Sequence, residues 1–247
     1  MGLLSDVVNW FNDPAHWRGV QGIPNRMGEH LQYSVCAIVA AVLLAVPAAV
    51  WLGHKRRYGT VAVNVTNVGR AVPSFAILVI GTQIFGLYEL PIIGSLTTFI
   101  ALVALAVPPL VTNSYVAVAE IDDEVRDAAR GMGLSDTQML RQVELPLATP
   151  LLMAGIRTAS VQVVATATIA AFVGVGGLGR YIIDGRVLLN PADRDVQVFA
   201  GAILVALLSL ATELVLGLAQ RWFTPRGLRS DLAATKAAAV TPAVSMA

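Results

Sequence analysis

The chain has 247 residues, of which 56% are hydrophobic and 13% charged, and its formal net charge is +1. A soluble domain carries roughly 25% charged residues, so this chain has too little polar surface to solvate a globule and most of its exterior is expected to face lipid. The near-neutral balance gives no sign either way of a nucleic-acid partner, and a single cysteine, Cys36 in an apolar run, excludes a disulfide framework and a cysteine metal site.

Residues 1–28 carry Trp10, Phe11 and Trp17 among polar neighbours. They read as an external, interfacial segment, since indole rings favour the headgroup level; an aromatic cage for a cation is the alternative. No basic segment precedes an apolar one at the N-terminus, so no cleavable signal peptide is expected and the first span is retained. A membrane-crossing helix needs about 20 mainly apolar residues. Five runs qualify within a transmembrane domain of residues 29–225, at about 31–52, 60–88, 92–117, 147–175 and 196–219. Arg70 and Pro73 interrupt the second run, and a split at residues 70–73 would give a sixth span. The uncharged stretch 90–119 is too long for one simple span, extending about 45 Å at a rise of about 1.5 Å per residue. Pro91 and the Pro108, Pro109 pair predict a loop and then a helix broken near its far end. Residues 226–247 form an Ala-rich cytoplasmic tail, expected to be disordered.

With five spans, ten of the 17 Lys and Arg fall on one side of the membrane and five on the other, with Arg70 and Arg157 inside spans. The richer side is expected to be cytoplasmic. The chain is therefore read as a multi-pass protein of the plasma (cell inner) membrane with its N-terminus outside and its C-terminus in the cytoplasm. Arg70, Arg157 and Glu213 are charges at or near membrane depth, each either snorkelling, paired or lining a water-filled path.

The cytoplasmic segment 120–146 is the most informative. Ile121, Val125, Ala128, Ala129 and Met132 recur at helical spacing as one apolar stripe. Glu120, Asp122, Asp123 and Glu124 crowd the start of this helix, and Arg126 and Arg130 follow, as the helix dipole favours. Gly131 and Gly133 offer a stop, with Gly133 as the natural residue just past the end. Ser135 and Gln138 form a capping box that starts a second short helix, expected to end at Pro146, where the next span opens.

Asp127, Ala128 and Ala129, then three residues, Gly133, nine residues, Val143, one residue, Leu145 and Pro146 make a pattern that resembles the EAA loop of ATP-binding-cassette importer permeases. That loop reads Glu-Ala-Ala, three residues, Gly, nine residues, Ile, one residue, Leu-Pro. Asp127 stands for Glu and Val143 for Ile. Residues 71–78, with Pro73 and Ser74, and residues 90–115, with Pro108, Asn113 and Tyr115, resemble segments of the osmoprotectant permeases. Residues 171–179, with Gly174, Gly176, Gly177 and Gly179, resemble a glycine run shared with methionine-type permeases.

The resemblance implies an all-α membrane fold with five transmembrane helices, of the methionine-importer type. It implies a pair of permease subunits (the same chain twice or a sister chain), two ATPase subunits docked at residues 120–146 and an external solute-binding protein. Asp127, Ala128, Ala129, Arg130, Gly133, Val143, Leu145 and Pro146 would form the ATPase-coupling loop. Pro73, Ser74, Asn113, Tyr115, Gly174, Gly176, Gly177 and Gly179 are the candidates for a translocation path or gate. The implied cargo is an osmoprotectant or quaternary amine such as glycine betaine, carnitine, choline or a proline-like solute, with an amino acid such as methionine as the alternative. ATP and Mg would bind the partner ATPase, leaving this chain without cofactor, metal or catalytic residues.

Other patterns lead elsewhere and fail on context. Gly174, Gly176 and Gly179 satisfy G-x-G-x-x-G, but at the end of a membrane segment rather than between a strand and a helix of a soluble unit. Residues 128–142 have the outline of a DNA-binding helix-turn-helix, yet they are tethered at both ends to spans and preceded by four carboxylates. No Gly-Lys pair exists to form a phosphate cradle, and His16, His30 and His54 lack ligand-like spacing. An ion-gradient-driven carrier is the rival of another class; it calls for intramembrane carboxylates and internal repeats, of which Glu213 is the one candidate.

Overall fold

The computed structural model describes residues 2–56, 59, 64, 74–85, 88–90, 92 and 94–225. Helix α1 (Leu3–Asn12) and a 3-10 turn (Pro14–Trp17) precede α2 (Ile23–Lys55). Helix α3 (Ser74–Phe85) leads to a two-residue antiparallel pairing of β1 (Glu89–Leu90) with β2 (Gly94–Ser95), and then to α4 (Leu96–Ala119). Two short helices, α5 (Asp123–Gly131) and α6 (Asp136–Met139), a π-helical turn (Leu140–Glu144) and α7 (Leu145–Thr166) follow. A 3-10 stretch (Ala167–Val173), α8 (Gly179–Arg186) and α9 (Pro191–Phe223) complete the described chain. Among the described residues, four helical stretches are long and apolar enough to cross a membrane: α2, α4, the continuous run Asp136–Val173 that contains α7, and α9.

Helix α2 places an alanine on the same face at every fourth position. Ala37, Ala41, Ala45 and Ala49 are all buried, and the first three pack in one core with Leu102, Ala106 and Leu110 of α4 and Ala159 and Val163 of α7. Lipid tails are as apolar as leucine, so helices in a bilayer associate through close packing, and small residues let backbones approach. At the far end of α2 the approach tightens further: a side chain on Gly53 would come within 2.8 Å of the Tyr115 carbonyl oxygen. Helix α9 lies on the outside of the bundle against α7 and α8. Its Leu207, Leu210, Leu214, Val215 and Leu218 are 55–64% exposed, a face that only lipid or another apolar surface could cover.

Helices α2 and α4 finish at the same end of the bundle. Lys55 and Arg56 at the end of α2 contact Asp136 and Asp123, and Val118 at the end of α4 accepts a hydrogen bond from Arg126. At the opposite end the strand pair sits beside the start of α2, where Gly94 approaches Val175 and Tyr33. Helix α4 starts at that opposite end, and α3 and the strand pair precede it in the chain. Much of the expected span 60–88 lies outside the described residues, as do Arg70 and Pro73 and the tail 226–247.

Two expectations about helix ends are corrected. Helix α4 is not broken at Pro108 and Pro109 but runs through them. Both prolines are buried, and the helix is clasped between α2 and α7; such packing lets a membrane helix tolerate missing backbone donors. Asn113 turns its amide back onto the Pro109 carbonyl at 2.7 Å, using one of the acceptors in this stretch. The second short helix does not end at Pro146 either. It continues into α7 through a π-helical turn in which the Leu145 N–H reaches the Leu140 carbonyl. The longer i to i−5 bond realigns the ladder just before a residue that cannot donate.

Ala41 is fully buried between these helices, so Ala41→Leu is expected to overpack the core and cost about 1–3 kcal/mol. The check is a lowered thermal unfolding midpoint of the detergent-purified protein, with Leu210→Ala on the lipid-facing side of α9 as a near-neutral control.

Candidate functional site

The loop between α4 and α7 is built from local signals that each satisfy backbone groups. Helix α5 stops in a Schellman arrangement: the Gly133 N–H bonds to the Arg130 carbonyl at 2.9 Å and the Leu134 N–H to the Ala129 carbonyl at 3.2 Å. Gly133 sits at φ +83°, a left-handed conformation that costs any residue with a Cβ. Ser135 and Gln138 then form the expected capping box, with the Ser135 N–H donating to Gln138 Oε1 at 2.9 Å.

The apolar stripe of α5 divides between two faces. Ala129 is buried at 2% exposure, whereas Val125 is 38% and Met132 73% exposed, and Ala128 is also exposed. The inward position beside Ala129 is taken by Arg126, a charged residue 2% exposed. Asp127 and Arg130 pair with each other at 3.0 Å on the exposed side. Leu145 packs against Val50, Val118 and Ala148; Val143 and Pro146 are half-buried.

Arg126 turns inward because a carboxylate waits there. Glu144, 0% exposed, lies with Oε1 3.2 Å from Arg126 Nη2 and with Oε2 2.6 Å from His54 Nδ1, where the ring donates to the carboxylate. Arg126 Nη2 also donates to the Val118 carbonyl at 2.7 Å and Nη1 to the His54 carbonyl at 3.4 Å. Burial lowers the Arg126 pKa from its ordinary value, and the Glu144 carboxylate opposes that shift. Sequence reasoning passes over this cluster: His54 has no ligand spacing, Arg126 counts as a surface charge, and Glu144 is the spacer in the EAA pattern. A signal does exist. Arg126 is three residues from Ala129 on α5, and Glu144 is four residues from Leu140 and from Ala148, so both fall on the apolar sides of their helices.

At the opposite end of the bundle, a cavity of about 820 Å³ is lined by Arg26, Glu29 and Tyr33 of α2, Glu89 of the strand pair, the 174–176 segment and Arg180. The glycine run is tied to α2. Glu29 Oε2 accepts the Gly177 N–H at 2.7 Å, and the Tyr33 hydroxyl donates to the Gly176 carbonyl at 3.0 Å. His30 Nε2 donates to the Val164 carbonyl on α7 at 2.9 Å. Gly177 is at φ +92°, and a Cβ there would meet the Tyr33 hydroxyl. Trp10 stacks on His16 with ring centroids 4.0 Å apart and meets Tyr181 edge-on, so in the N-terminal segment this indole packs against the chain's own rings.

The candidates for a translocation path are thus distributed. Gly174 and Gly176 line the cavity. Asn113 faces α7, where its Cβ lies close to Gly155, and the Tyr115 ring faces Gly59. Gly179 is packed against the Thr168 carbonyl. Ser74 opens α3, and Pro73 lies outside the described residues. Of the charges at membrane depth, Arg157 and Glu213 pair across α7 and α9 at 3.2 Å, and Arg157 also donates to Gln220 Oε1 at 3.1 Å.

A family profile described as binding-protein-dependent transport system inner membrane component matches residues 37–226, a stretch that runs from the alanine face of α2 through the loop to the end of α9. The chain belongs to that family. It is accordingly a transport component of the inner membrane, and its membership concerns transport rather than catalysis. The chain is 33% identical over 204 residues to the glycine betaine/carnitine/choline transport system permease protein OpuCB of Bacillus subtilis (strain 168), covering 83% of this chain and 89% of that one. It is 33% identical over 226 residues to the carnitine transport permease protein OpuCB of Listeria monocytogenes, covering 92% and 97%. It is 30% identical over 201 residues to the osmoprotectant import permease protein OsmW of Salmonella typhimurium, covering 81% and 91%. Among solved structures, an inward-facing form of the MetNI methionine ABC transporter superposes with a TM-score of 0.70 at 21% identity, covering 86% of this chain and 99% of that one. The fold is therefore the methionine-importer permease fold expected above.

In this family member Gly174 and Gly177 both have positive φ, but no neighbouring atom lies near a Cβ at Gly174, whereas one at Gly177 meets Tyr33. Gly177→Ala is expected to destabilise the protein by about 1–3 kcal/mol more than Gly174→Ala, read as the difference between their thermal unfolding midpoints. Equal midpoints would mean that the clamp on Gly177 is not rigid.

Proposed function

We propose that this chain is the permease subunit of an ATP-driven importer for a small osmoprotectant of the quaternary-amine or betaine type. The observation that carries the reading is the exposed apolar face of α5. Val125, Ala128 and Met132 point away from the bundle, on a helix whose other face is tied into it by Arg126. A capped helix anchored on one side and apolar on the other is suited to seat in a groove of a partner protein. Here the partner is inferred to be an ATP-hydrolysing subunit, one docking on each of two permease chains. Asp127, Arg130, Gly133 and Val143 set the shape and polar rim of the contact, and Leu145 and Pro146 join it to α7. Ala129, which sequence reasoning also offered to the partner, faces the bundle and supports the helix from beneath.

The end that bears this loop is read as cytoplasmic. Because α2 runs towards the loop and α9 ends on the same side as it, with Gln220 bonded to the Pro150 carbonyl at 3.0 Å, the N-terminus is then outside and the C-terminus inside. The 820 Å³ cavity would open outward, where an external solute-binding protein would deliver cargo. The substrate class rests on the relatives, whose names include glycine betaine, carnitine and choline. ATP and Mg are assigned to the partner. The gradient-driven alternative has less support, because the intramembrane Glu213 is engaged by Arg157.

The test is co-purification of the ATPase from membranes. Met132→Glu and Ala128→Glu place a carboxylate on the docking face and are expected to lower the ATPase retained by at least about tenfold, a loss of about 1.4 kcal/mol. Uptake of labelled glycine betaine and choline should depend on ATP and on the binding protein, and excess unlabelled carnitine should compete where methionine does not. Full retention of the ATPase by both variants, or uptake without ATP, would sink the assignment.

A further inference from the structure

Docking requires only the outer face of α5; the buried charges behind it need a separate account, and any part they play in transport rests on the importer function proposed for the chain. Four segments of chain converge on one carboxylate and one guanidinium. His54 is the penultimate residue of α2, Val118 lies at the end of α4, Arg126 is on α5, and Glu144 closes the π-helical turn that leads into α7. Arg126 is 2% and Glu144 0% exposed. Among the described residues, the further polar ties between the loop and α2 are Lys55 to Asp136 and Arg56 to Asp123 and the Ile121 carbonyl, made by exposed side chains, where water and salt weaken them.

The buried ties differ in kind from these. Separating two desolvated ions without solvating them is strongly unfavourable, and the hydrogen bonds around them, from Arg126 to the Val118 and His54 carbonyls and from His54 to Glu144, are directional. An apolar contact of the same area would allow α5 to slide or roll. This cluster penalises both, since displacing α5 from α7 would strand the Glu144 carboxylate and displacing it from α2 would break the contacts to His54. The π-helical turn is part of the device. The Leu145 to Leu140 hydrogen bond adds a residue to that turn, and the last residue before the ladder resumes is the buried Glu144, in keeping with the occurrence of such turns at functional positions.

We propose that His54, Arg126 and Glu144 form the joint that makes α2 and α7 follow the docking helix, so that their charges set how much solute is moved per ATP hydrolysed. They are positioning residues: none is assigned to substrate or to nucleotide. The joint differs from the docking face in what its loss would do. A damaged face loses the ATPase, whereas a damaged joint keeps the ATPase and wastes its turnover.

The experiment uses the full complex of permease, ATPase and binding protein in proteoliposomes, with labelled glycine betaine as the probe. It measures ATPase retained, ATP hydrolysed and solute imported per ATP. Glu144→Gln keeps the shape and removes the charge. The double variant Arg126→Met with Glu144→Leu removes both charges at similar volume, a replacement that buried ion pairs often tolerate without loss of stability. Glu144→Asp is the conservative control. The expected result is that the double variant keeps its ATPase and its hydrolysis close to wild type while solute per ATP falls by about fivefold or more, with partial recovery in Glu144→Asp. A wild-type ratio in the double variant would overturn the proposal and leave the cluster as a fold-stabilising pair. So would loss of assembly in both Glu144→Gln and the double variant, which would assign the charges to stability alone. If the wild-type complex imports without ATP, the importer reading itself falls, and the joint with it; that result is distinct because it appears before any variant is compared.

Discussion

Close approach between α2, α4 and α7 governs everything else in this fold. In lipid there is no water to drive leucine against leucine, and every backbone donor and acceptor must be satisfied within the protein. The alanines at every fourth position of α2 meet that condition by bringing three helices into direct contact. That contact lets α4 run unbroken through Pro108 and Pro109, and it leaves α9 free to present its leucines to the bilayer. The two ends of the bundle are then closed by polar chemistry of opposite styles.

At one end, backbone is held. Glu29 and Tyr33 tie down a glycine segment through its N–H and carbonyl groups while His30 bonds to α7, and Gly176 and Gly177 pass too near α2 for a side chain. At the other end, charge is held. Glu144 receives Arg126 and His54 in a region closed to water, and the loop that carries the exposed apolar face is fastened through that meeting. The first arrangement fits a segment that shapes a cavity. The second fits a lever, because it resists rotation as well as separation.

Arg157 and Glu213 illustrate how a membrane position acquires meaning only from its neighbours. In the sequence each is an isolated charge within an apolar run, open to reading as a proton site or a solute contact. In the fold they face one another across α7 and α9, with Gln220 bridging on to Pro150. A charge pair at the edge of the bundle is a means of registering two helices.

Much of this protein is legible in its residues because the signals involved are local. Length of apolar run specifies a span, Ser135 with Gln138 starts a helix, Gly133 stops one, and the spacing from Asp127 to Pro146 resembles a family pattern, the family itself being borne out by the match over residues 37–226. Each of these depends on a few consecutive residues and the backbone they share. The side of α5 that faces the bundle is of another kind. By apolarity alone Ile121, Val125, Ala128, Ala129 and Met132 form a single stripe; in the structure the inward positions are Arg126 with Ala129, because a carboxylate 18 residues further along the chain and the backbone carbonyl of a histidine 72 residues earlier meet the guanidinium there. The continuity of α4 through two prolines and of α6 into α7 was likewise settled by packing that no window of sequence contains. Local hydrogen bonding is set by neighbours in the chain, which is why the elements, the loop and the family could be read from the residues alone. Desolvation and pairing of charge are set by neighbours in space, which is why the held face of the loop, and the face left for a partner, emerged only with the folded arrangement.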